Sequence, residues 1–410
     1  MARRLRRLRI WLAGTHVADF EQRHWNELRL RYTEEALDLW PQNSPVVSCS
    51  LPLQARPQDA KVFASGLLPE GHALEALAAR AGIATRETFG LLERYGRDVA
   101  GALVIAAEGW TPDAGSVEPY TDTTLEAAIE ALGEHPLGVV DDSELSLAGL
   151  QEKLLLVALP LGGWGRPVHG EPSTHILKVD DRRRPGLVAA EAVALRLAEH
   201  AGLSAIDPVV ERIGDVDCLI VRRFDRRVVD GAVERIHQED LSQATGIDHI
   251  GPTGRGKYER HGGPGFQAAA KLLDVYAIDP AAQLDRLVQT AAFTVAIGNA
   301  DAHAKNLALL HPTGQAIELA PLYDTVPTAL WPKLRPDLAM RVNGRERARA
   351  VTLDDIAAEA KTWPHSPARA RAVAVQTIEV LLDGLDGGVI DDEMPVAAYV
   401  RGRCEELLAA

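Results

Sequence analysis

The chain has little cysteine and lacks any long apolar run. Its three cysteines, Cys49, Cys218 and Cys404, are far apart, and no CxxC motif or Cys/His cluster occurs. Neither a disulfide framework nor a structural zinc site is therefore indicated. No stretch approaches the roughly 18 apolar residues of a transmembrane helix, and the apolar segment 10–14 is too short for a signal peptide. We therefore expect a cytoplasmic protein with no membrane association.

Positive charge is also too scarce for a general nucleic-acid-binding face. The 410 residues carry a formal net charge of −14, and hydrophobic residues make up 46% of the chain, as in globular proteins of two or three domains. The local exception is the start of the chain, which contains Arg3, Arg4, Arg6, Arg7 and Arg9. This run is typical of a solvated leader to a first strand; the alternative is an arm that contacts an acidic surface or DNA phosphate.

Residues 1–108 have the pattern of a small α/β domain. Alternating apolar residues predict strands at 8–12 and 28–32, and an apolar run predicts another at 101–105. Helical spacing predicts helices at 72–81 and 88–95, which end at Gly82 and Gly96. Segment 109–122 is rich in Pro, Gly, Asp and Thr and is followed by a predicted helix at 124–132. We therefore interpret 109–145 as a linker with a short helix.

The remaining chain predicts a small sheet followed by a helical region. Apolar runs predict strands at 153–159, 174–179 and 216–223, with a hairpin turn at Gly162–Gly165 and a helix at 187–201. This is the pattern expected of a nucleotide-binding lobe, here 146–240. After Asp240 the pattern is mainly helical, with a short hairpin at 307–310 and 316–319 and helices at 283–297, 355–362, 366–382 and 395–408. Residues 241–410 are thus predicted to form a helical lobe.

The segment with the clearest chemical signature is Gly298-Asn-Ala-Asp-Ala-His-Ala-Lys-Asn306, which is followed by Asp324. Kinases that phosphorylate a hydroxyl group need one carboxylate to receive its proton, and an amide and a second carboxylate to hold Mg²⁺. The spacing from Asp301 to Asn306 matches that of the protein-kinase catalytic loop. The alternative, a polar connection with one structural aspartate, does not account for so many hydrogen-bonding side chains in one short loop.

Two segments upstream have the composition of phosphate-binding elements. Ser146-Leu-Ala-Gly149-Leu-Gln-Glu-Lys153 places a glycine-containing turn and a lysine before a strand, where backbone N–H groups can face phosphate. Lys178 lies in a predicted strand, as the phosphate-binding lysine of kinases does, and Glu191 in the next helix is a candidate partner for it. Taken alone, each of these segments is explained better by a plain turn or by surface-exposed side chains.

Two further segments flank the end of the predicted sheet. Arg223-Phe-Asp-Arg226 is interpreted as a structural ion-pair node between lobes, and Arg235-Ile-His237-Gln-Glu239-Asp240 as an interlobe hinge that offers backbone groups to adenine. The side chains of the second segment are alternatively helix caps, since Asp240 and Ser242 are residue types preferred at that position.

The order of these segments resembles the HipA family of toxin kinases. The resemblance lies in seven segments: Ser146-Leu-Ala-Gly-Leu-Gln-Glu-Lys153, Thr174-His-Ile-Leu-Lys178, Arg223-Phe-Asp-Arg226, Gln238-Glu-Asp240, Gly262-Gly-Pro-Gly265, Gly298-Asn-Ala-Asp-Ala-His-Ala-Lys-Asn306 and Tyr323-Asp324. The amino-terminal domain resembles that of the same family through Leu51-Pro-Leu53, Gly66-Leu-Leu-Pro69 and Gly96-Arg-Asp-Val-Ala-Gly101. The resemblance thus covers nearly the whole chain. Its clearest departure is Ala302, where the family often has a second acid or glycine.

The resemblance implies an α+β, bilobal, phosphatidylinositol-kinase-like fold and a serine/threonine-protein kinase that uses ATP and Mg²⁺. Its targets would be proteins of the translation machinery, of the aminoacyl-tRNA synthetase class. Its partner would be a HipB-like helix-turn-helix antitoxin, through which alone it would meet DNA.

Site roles follow from the same resemblance, position by position. Asp301 would be the catalytic base, with His303 and Lys305 supporting the loop. Asn306 and Asp324 would hold Mg²⁺, and Ser146 would be a regulatory autophosphorylation site. The residues implied to bind ATP are Ala148, Gly149, Leu150, Gln151, Glu152, Lys153, Lys178, Gln238, Glu239, Asp240 and Tyr323.

Two other functions remain open at this point. A small-molecule kinase of the aminoglycoside or choline type has the same catalytic residues, although such a substrate would not require the amino-terminal domain. A non-catalytic co-repressor would bind an antitoxin and strengthen its binding to DNA. The acidic charge permits docking of a basic antitoxin, and this role is compatible with kinase activity.

Overall fold

The computed structural model describes residues 5–24, 27–110, 115–133, 137, 152–180, 185–251, 254–391 and 393–410. The chain forms two compact units. The first comprises Met1–Val179, Glu211–Glu239 and Leu310–Gln315, and the second comprises Asp180–Val210, Asp240–Leu309 and Ala316–Ala410. The helix at 187–201, which the sequence assigned to the nucleotide-binding lobe, thus falls in the second unit. The four-part division of the chain stays a prediction.

The first unit begins with a five-stranded antiparallel sheet. Its order is β4-β3-β2-β1-β5, formed by β1 (Arg6–Leu12), β2 (Thr15–Gln22), β3 (Arg29–Tyr32), β4 (Gln58–Asp59) and β5 (Leu103–Ala107). Four helices accompany it: α1 (Glu34–Leu39), α2 (Lys61–Gly66), α3 (Gly71–Ala81) and α4 (Thr88–Tyr95). The apolar face of the sheet and these helices share one core, which includes Phe20, Phe63, Leu77, Phe89 and Tyr95. The α/β pattern predicted for 1–108 is confirmed.

A six-stranded sheet follows in the same unit. Its order is β10-β11-β9-β7-β8-β6, formed by β6 (Ser116–Pro119), β7 (Lys153–Ala158), β8 (Trp164–Val168), β9 (His175–Val179), β10 (Val209–Ile213) and β11 (Val216–Arg222). Helix α5 (Asp122–Glu130) lies between β6 and β7 in the chain.

Two features of this region differ from the sequence prediction. The hairpin turn predicted at Gly162–Gly165 is present but lies slightly earlier, and it leads from β7 into β8, a strand that the sequence did not predict: the Leu159 amide donates to the Gly163 carbonyl, and Trp164 already pairs with Ala158. Residues 116–119 of the predicted linker form β6, which pairs with β8. Its Pro119 is tolerated because β6 is an edge strand of the sheet.

Both faces of β7 are buried, which explains its unbroken apolar run. Leu154 and Leu156 share a cluster with Leu125 and Ile129 of α5, whereas Leu155 belongs to the core of the amino-terminal domain. Strands covered on both faces lose the polar–apolar alternation of half-exposed strands. Within the first unit, the helix that packs on this sheet is therefore α5, which the sequence had assigned to the linker.

The second unit is mainly helical, as predicted. Its helices are α6 (Leu187–His200), α7 (Leu241–Thr245), α8 (Phe266–Tyr276), α9 (Pro280–Ala296), α10 (Leu353–Ala360), α11 (Pro367–Asp386) and α12 (Pro395–Ala409). The remaining strands of the chain are short. In the first unit, β12 (Arg226–Val229) pairs with β13 (Ala232–Arg235). In the second unit, β17 (Asp337–Val342) pairs with β18 (Arg345–Arg347). Three further strands are very short: β14 (Gln238–Asp240), β15 (Ala308–Leu310) and β16 (Glu318–Leu319). Among the described residues no helix is long and apolar enough to cross a membrane.

Helix α9 is the central helix of the second unit and ends at the proposed catalytic loop. It starts at the N-cap Asp279, whose side chain accepts a hydrogen bond from the amide of Ala282, with Pro280 in the first turn. From residue 290 onward all its side chains are buried, and it contacts α8, α10, α11 and α12. This burial gives the following loop a rigid base.

Candidate active site

A glycine ends α9 and turns the chain into the proposed catalytic loop. Gly298 has a φ of +68°, in the left-handed region that glycine adopts most easily. A Cβ here would lie 2.5 Å from the hydroxyl of Tyr399 and 2.8 Å from the Cβ of Ala329. The Gly298 carbonyl accepts hydrogen bonds from the Thr328 hydroxyl and the Ala329 amide. Position 298 therefore has room only for glycine.

The loop itself is held by short local hydrogen bonds. The Asn299 side chain accepts from the amide of Asp301 (3.0 Å), and the Asp301 carbonyl accepts from the amide of His303 (2.8 Å). The carbonyl of His303 accepts from the amide of Asn306 (2.8 Å). Asp301 is exposed, whereas Asn299 and His303 are buried. The backbone thus presents the Asp301 carboxylate to solvent from a fixed position.

A second loop of the same unit packs against Asp301. The Tyr258 hydroxyl donates to Oδ1 of Asp301 (2.8 Å), and its ring meets that of His303 edge-on, with centroids 5.4 Å apart. The Lys257 carbonyl accepts from the amide of Ala304 (3.2 Å). Sequence reasoning missed Tyr258, which is 43 residues from Asp301. The nearby Gly262–Gly265 motif marked this loop, but nothing in its spacing points to the aspartate.

The two predicted Mg²⁺ ligands are both tied to this loop. The Asn306 side-chain amide donates to the Asp301 carbonyl (3.2 Å), which leaves its oxygen as the acceptor end. Asp324 lies between two anchored residues: the Tyr323 hydroxyl donates to the Lys305 carbonyl (2.7 Å), and Thr325 accepts from Asn299 (3.4 Å). Carboxylate and amide oxygens are the ligands that Mg²⁺ prefers. The donor chemistry therefore fits a magnesium site.

Asp324 has a strained backbone. Its φ is +50°, in the left-handed region, which costs most residues with a Cβ about 1–2 kcal/mol and which aspartate adopts more readily than most of them. Such strain is concentrated at functional sites, where the surrounding structure enforces it. Here the hydrogen bonds of Tyr323 and Thr325 on either side of Asp324 supply that constraint.

Lys305 makes a buried ion pair beneath the loop. Its ammonium lies 2.7 Å from Oδ2 of Asp240, and both side chains are less than 10% exposed. The other oxygen of Asp240 accepts from the amide of Gln243 and caps α7. The capping alternative for Asp240 is thus confirmed. A hinge role for position 240 would rest on its backbone.

Two of the predicted phosphate-binding residues are neighbours in the first unit. Lys153 and Lys178 lie directly opposite each other on β7 and β9, so their side chains leave the same face of the sheet. Both are nearly buried, at 8% and 6% exposure. The sequence indicated both lysines but not their pairing, because strand register depends on the hairpin topology.

Three successive residues of the predicted hinge contact the amino-terminal domain within the first unit. His237 Nε2 donates to the Val47 carbonyl (2.8 Å). A Cβ on Gly101 would lie 2.8 Å from both the amide nitrogen and the carbonyl oxygen of Gln238. The Glu239 carboxylate accepts from the Cys49 amide (2.8 Å), the Ser48 hydroxyl and His311 Nε2 (3.0 Å). Sequence reasoning gave no sign of these long-range contacts.

Within the described residues, one group has the residue types of a transition-metal site: Cys49, Glu239 and His311. Hydrogen bonding already accounts for it, since both Glu239 oxygens accept bonds. Burial, and after it the charge of Glu239, raises the pKa of the Cys49 thiol well above its ordinary value. The hydrogen bonds of Glu239 by themselves account for the arrangement of these three residues.

The Arg223–Arg226 segment is a buried ion-pair network inside the first unit. Arg223 and Arg226 contact Asp225 at 2.8 and 3.2 Å, and Arg226 and Arg235 contact Asp98 of the amino-terminal domain at 2.8 and 3.1 Å. Burial would raise the pKa of the Asp225 carboxyl, but Arg223 and Arg226 outweigh it and lower the pKa to about 2. The segment is therefore a structural ion-pair node, but the partners named above connect it to the amino-terminal domain and not, as the sequence had suggested, to the helical lobe.

Some predicted residues are not described with the rest of the site. Ser146, Ala148, Gly149, Leu150 and Gln151 lie outside the described residues. Glu152 is exposed immediately before β7. Glu191 is fully buried in α6, in the second unit, and its pairing with Lys178 stays a prediction.

Two family models match this chain. The family model described as the HipA-like C-terminal domain matches residues 145–384, and that described as the HipA N-terminal domain matches residues 8–106. A protein of Sinorhizobium fredii named putative kinase Y4mE is 37% identical over 367 residues, which cover 87% of this chain and 84% of that protein.

Two further likenesses come from Shewanella oneidensis. Its serine/threonine-protein kinase toxin HipA is 29% identical over 77% of this chain and 73% of its own length. A solved structure of HipA and HipB from that organism with operator DNA has a TM-score of 0.80 at 24% identity, covering 98% of this chain and 96% of the solved one. That structure shows the same fold. Because the two HipA family models match residues 8–106 and 145–384, this chain belongs to the HipA family of kinases.

Proposed function

We propose that the protein is an ATP-dependent serine/threonine-protein kinase. The observation that carries this proposal is the loop after α9, which presents an exposed Asp301 carboxylate whose Oδ1 accepts from Tyr258 and whose backbone carbonyl accepts from Asn306. In the proposed reaction, the oxygen of a substrate serine or threonine attacks the γ-phosphorus of ATP. The bond from that phosphorus to the β–γ bridging oxygen breaks, the hydroxyl proton passes to Asp301, and ADP leaves.

The other groups have supporting roles in this proposal. Asn306 and Asp324 would hold Mg²⁺, which when bound neutralises charge on the phosphates. Lys153 and Lys178, paired across two strands, would bind phosphate oxygens. Backbone groups of Gln238–Asp240 would face adenine. Lys305 would fix the loop through Asp240, and His303 through its edge-on contact with Tyr258.

The test of this proposal is the Asp301→Asn variant. Asparagine keeps the size of the side chain and its capacity to accept from Tyr258, but it does not take up the substrate proton. We expect transfer from γ-labelled ATP to protein to fall by roughly 10²–10⁴-fold, with an unchanged melting temperature. Transfer at the wild-type rate would remove Asp301 from its proposed role.

The proposed substrate class, partner and location come from the family. We propose a target in the translation machinery, of the aminoacyl-tRNA synthetase class, and action in the cytoplasm. A HipB-like helix-turn-helix antitoxin is the proposed partner, supported by the related Shewanella structure, which contains HipB and operator DNA. The protein would then meet DNA only through that partner.

Autophosphorylation of Ser146 is proposed as the regulatory step. Phosphate would add about −1.5 to −2 charges three residues before Gly149, in the proposed ATP-binding segment. We expect the modified protein to bind ATP more weakly. Equal ATP affinity of phosphorylated and unphosphorylated protein would contradict this.

A further inference from the structure

We propose that the amino-terminal domain braces the nucleotide hinge, and that its contacts with His237, Gln238 and Glu239 set the affinity for ATP. This inference rests on the proposed kinase function. It assigns a task to a domain that lies outside the catalytic residues and that phosphoryl transfer by itself does not require.

The first argument is that the three contacts are consecutive. Val47 accepts from the His237 ring, Gly101 packs on the backbone of Gln238, and the Cys49 amide donates to the carboxylate of Glu239. A domain that merely packs nearby would not be expected to contact three successive residues. Gln238 and Glu239 belong to the segment whose backbone groups are proposed to face adenine, so their position decides how well adenine fits.

The second argument is the burial of Glu239. Its side chain is 0% exposed, and an ionised carboxylate removed from water needs several hydrogen bonds to offset the loss. The Cys49 amide and the Ser48 hydroxyl supply two of these bonds, and His311 supplies the third. Loss of the Ser48 hydroxyl would leave Oε2 without that donor, so the hinge residue would shift to recover another.

The third argument is that Gly101, which contacts the hinge, is itself held in a fixed position. The Gly101 amide donates to Oδ2 of Asp225 (2.7 Å), and its carbonyl accepts from Arg226 (2.8 Å). Both partners belong to the buried ion-pair network described above. Gly101 is therefore held in place by both of its backbone groups. A side chain at position 101 would displace the backbone of Gln238 rather than that of residue 101.

The test uses Gly101→Ala with a matched control in the same domain. The new Cβ would lie 2.8 Å from the amide nitrogen and the carbonyl oxygen of Gln238. Gly14→Ala is the control, because Gly14 has nearly the same φ (+81° against +82°) and nothing within 4 Å of an added Cβ. The two variants thus impose the same local strain, and only one touches the hinge.

A second pair of variants covers failure of Gly101→Ala to fold. Ser48→Ala removes a donor to Glu239, and Ser44→Ala alters another buried serine of the same domain. For all four full-length variants, the dissociation constant of Mg-ATP would be measured by calorimetry, together with kcat and KM for ATP in phosphoryl transfer.

We expect Gly101→Ala and Ser48→Ala to raise the dissociation constant and KM for ATP about tenfold, with kcat within about twofold of wild type. Gly14→Ala and Ser44→Ala should keep wild-type values. Wild-type affinity in the folded hinge variants, or equal losses in variants and controls, would overturn the brace. Absence of ATP binding and transfer in the wild-type protein would instead overturn the proposed function.

Discussion

At the scale of the residue, His237 is a buried titratable group that should make stability depend on pH. Burial, and next the neighbouring His311, lowers the pKa of His237 to about 4 from an ordinary value of 6.5. The unfolded chain therefore binds more protons than the folded one between these pH values. The contribution of neutral His237 to the free energy of unfolding is therefore complete above about pH 6.5. It is lost as the pH falls toward 4, and the loss is at most about 3 kcal/mol.

The His237→Gln variant should lose this dependence while keeping a donor for Val47. Urea unfolding at pH 7 and pH 5 would measure it, with His72→Gln, an exposed histidine of α3, as the control. We expect the free energy of unfolding to drop less on acidification in His237→Gln than in wild type or the control. An equal drop in all three proteins would show that His237 does not carry the effect.

The residues of the proposed catalytic loop could be identified from the sequence, but the residues that contact them could not. Asp301, Asn306 and Asp324 stand out because a kinase loop needs an acid and an amide at fixed spacing followed by a second acid. Tyr258 and Glu239 act through contacts over 43 and about 190 residues of chain. Such contacts depend on how loops pack, and a single sequence gives no periodic signal for them.

At the scale of the element, the end of α9 should determine the position of the proposed catalytic loop. Gly298→Ala would place a Cβ against Tyr399 and Ala329. Gly202→Ala, after α6, is its matched control, with a φ of +69° against +68° and nothing within 4 Å of the added Cβ. Backbone strain alone costs about 1–2 kcal/mol in both variants, and overpacking adds about 1–3 kcal/mol at position 298 only.

We therefore expect Gly298→Ala to lower both the free energy of unfolding and the rate of phosphoryl transfer. Gly202→Ala should lower the free energy of unfolding by a smaller amount and leave the rate unchanged. Urea unfolding and the transfer assay together would check this. Equal kinetic behaviour of the two variants would show that the helix end does not control the loop.

Helices and central strands were predictable because their apolar pattern extends over many residues. Thr88–Tyr95 and Leu187–His200 agree with the apolar spacing and the glycines that follow. Short elements were not: β6 has four residues in a Pro/Gly-rich stretch, and β8 contains Gly165 and Pro167. Pairing in the sheet overrides the weak strand propensity of these residues.

At the scale of the whole chain, the network around Asp98 should be decisive for stability of the first unit. Asp98 accepts from Arg226 (2.8 Å) and from the hydroxyl of Ser173 (2.7 Å), and it is 1% exposed. Burial alone would raise the pKa of its carboxyl, but the surrounding arginines lower it far below its ordinary value. Asp98→Asn leaves the buried guanidinium groups without that charge.

We expect Asp98→Asn to destabilise the protein by about 3–5 kcal/mol, the usual cost of breaking a buried ion pair. The control is Glu93→Gln, which breaks the exposed pair with Arg6 and should cost no more than about 1 kcal/mol. Urea unfolding would compare them. A loss in Asp98→Asn no larger than in the control would show that the network contributes no net stability.

The family could be inferred from sequence because the motifs occur in the right order along most of the chain. The organisation into units could not, because the first unit combines the amino-terminal domain with segments 211–239 and 310–315. Those segments are distant in sequence, and only their contacts in the fold, such as His311 with Glu239, bring them together.

The most direct test of the central claim is phosphosite mapping in cells that express either wild-type protein or Asp301→Asn. The proposed kinase function predicts new phosphoserine or phosphothreonine peptides with the wild-type protein, in a target of the translation machinery and at Ser146, and none of these with the variant. Identical phosphopeptides in both samples, or a phosphorylated metabolite without any new phosphopeptide, would contradict it.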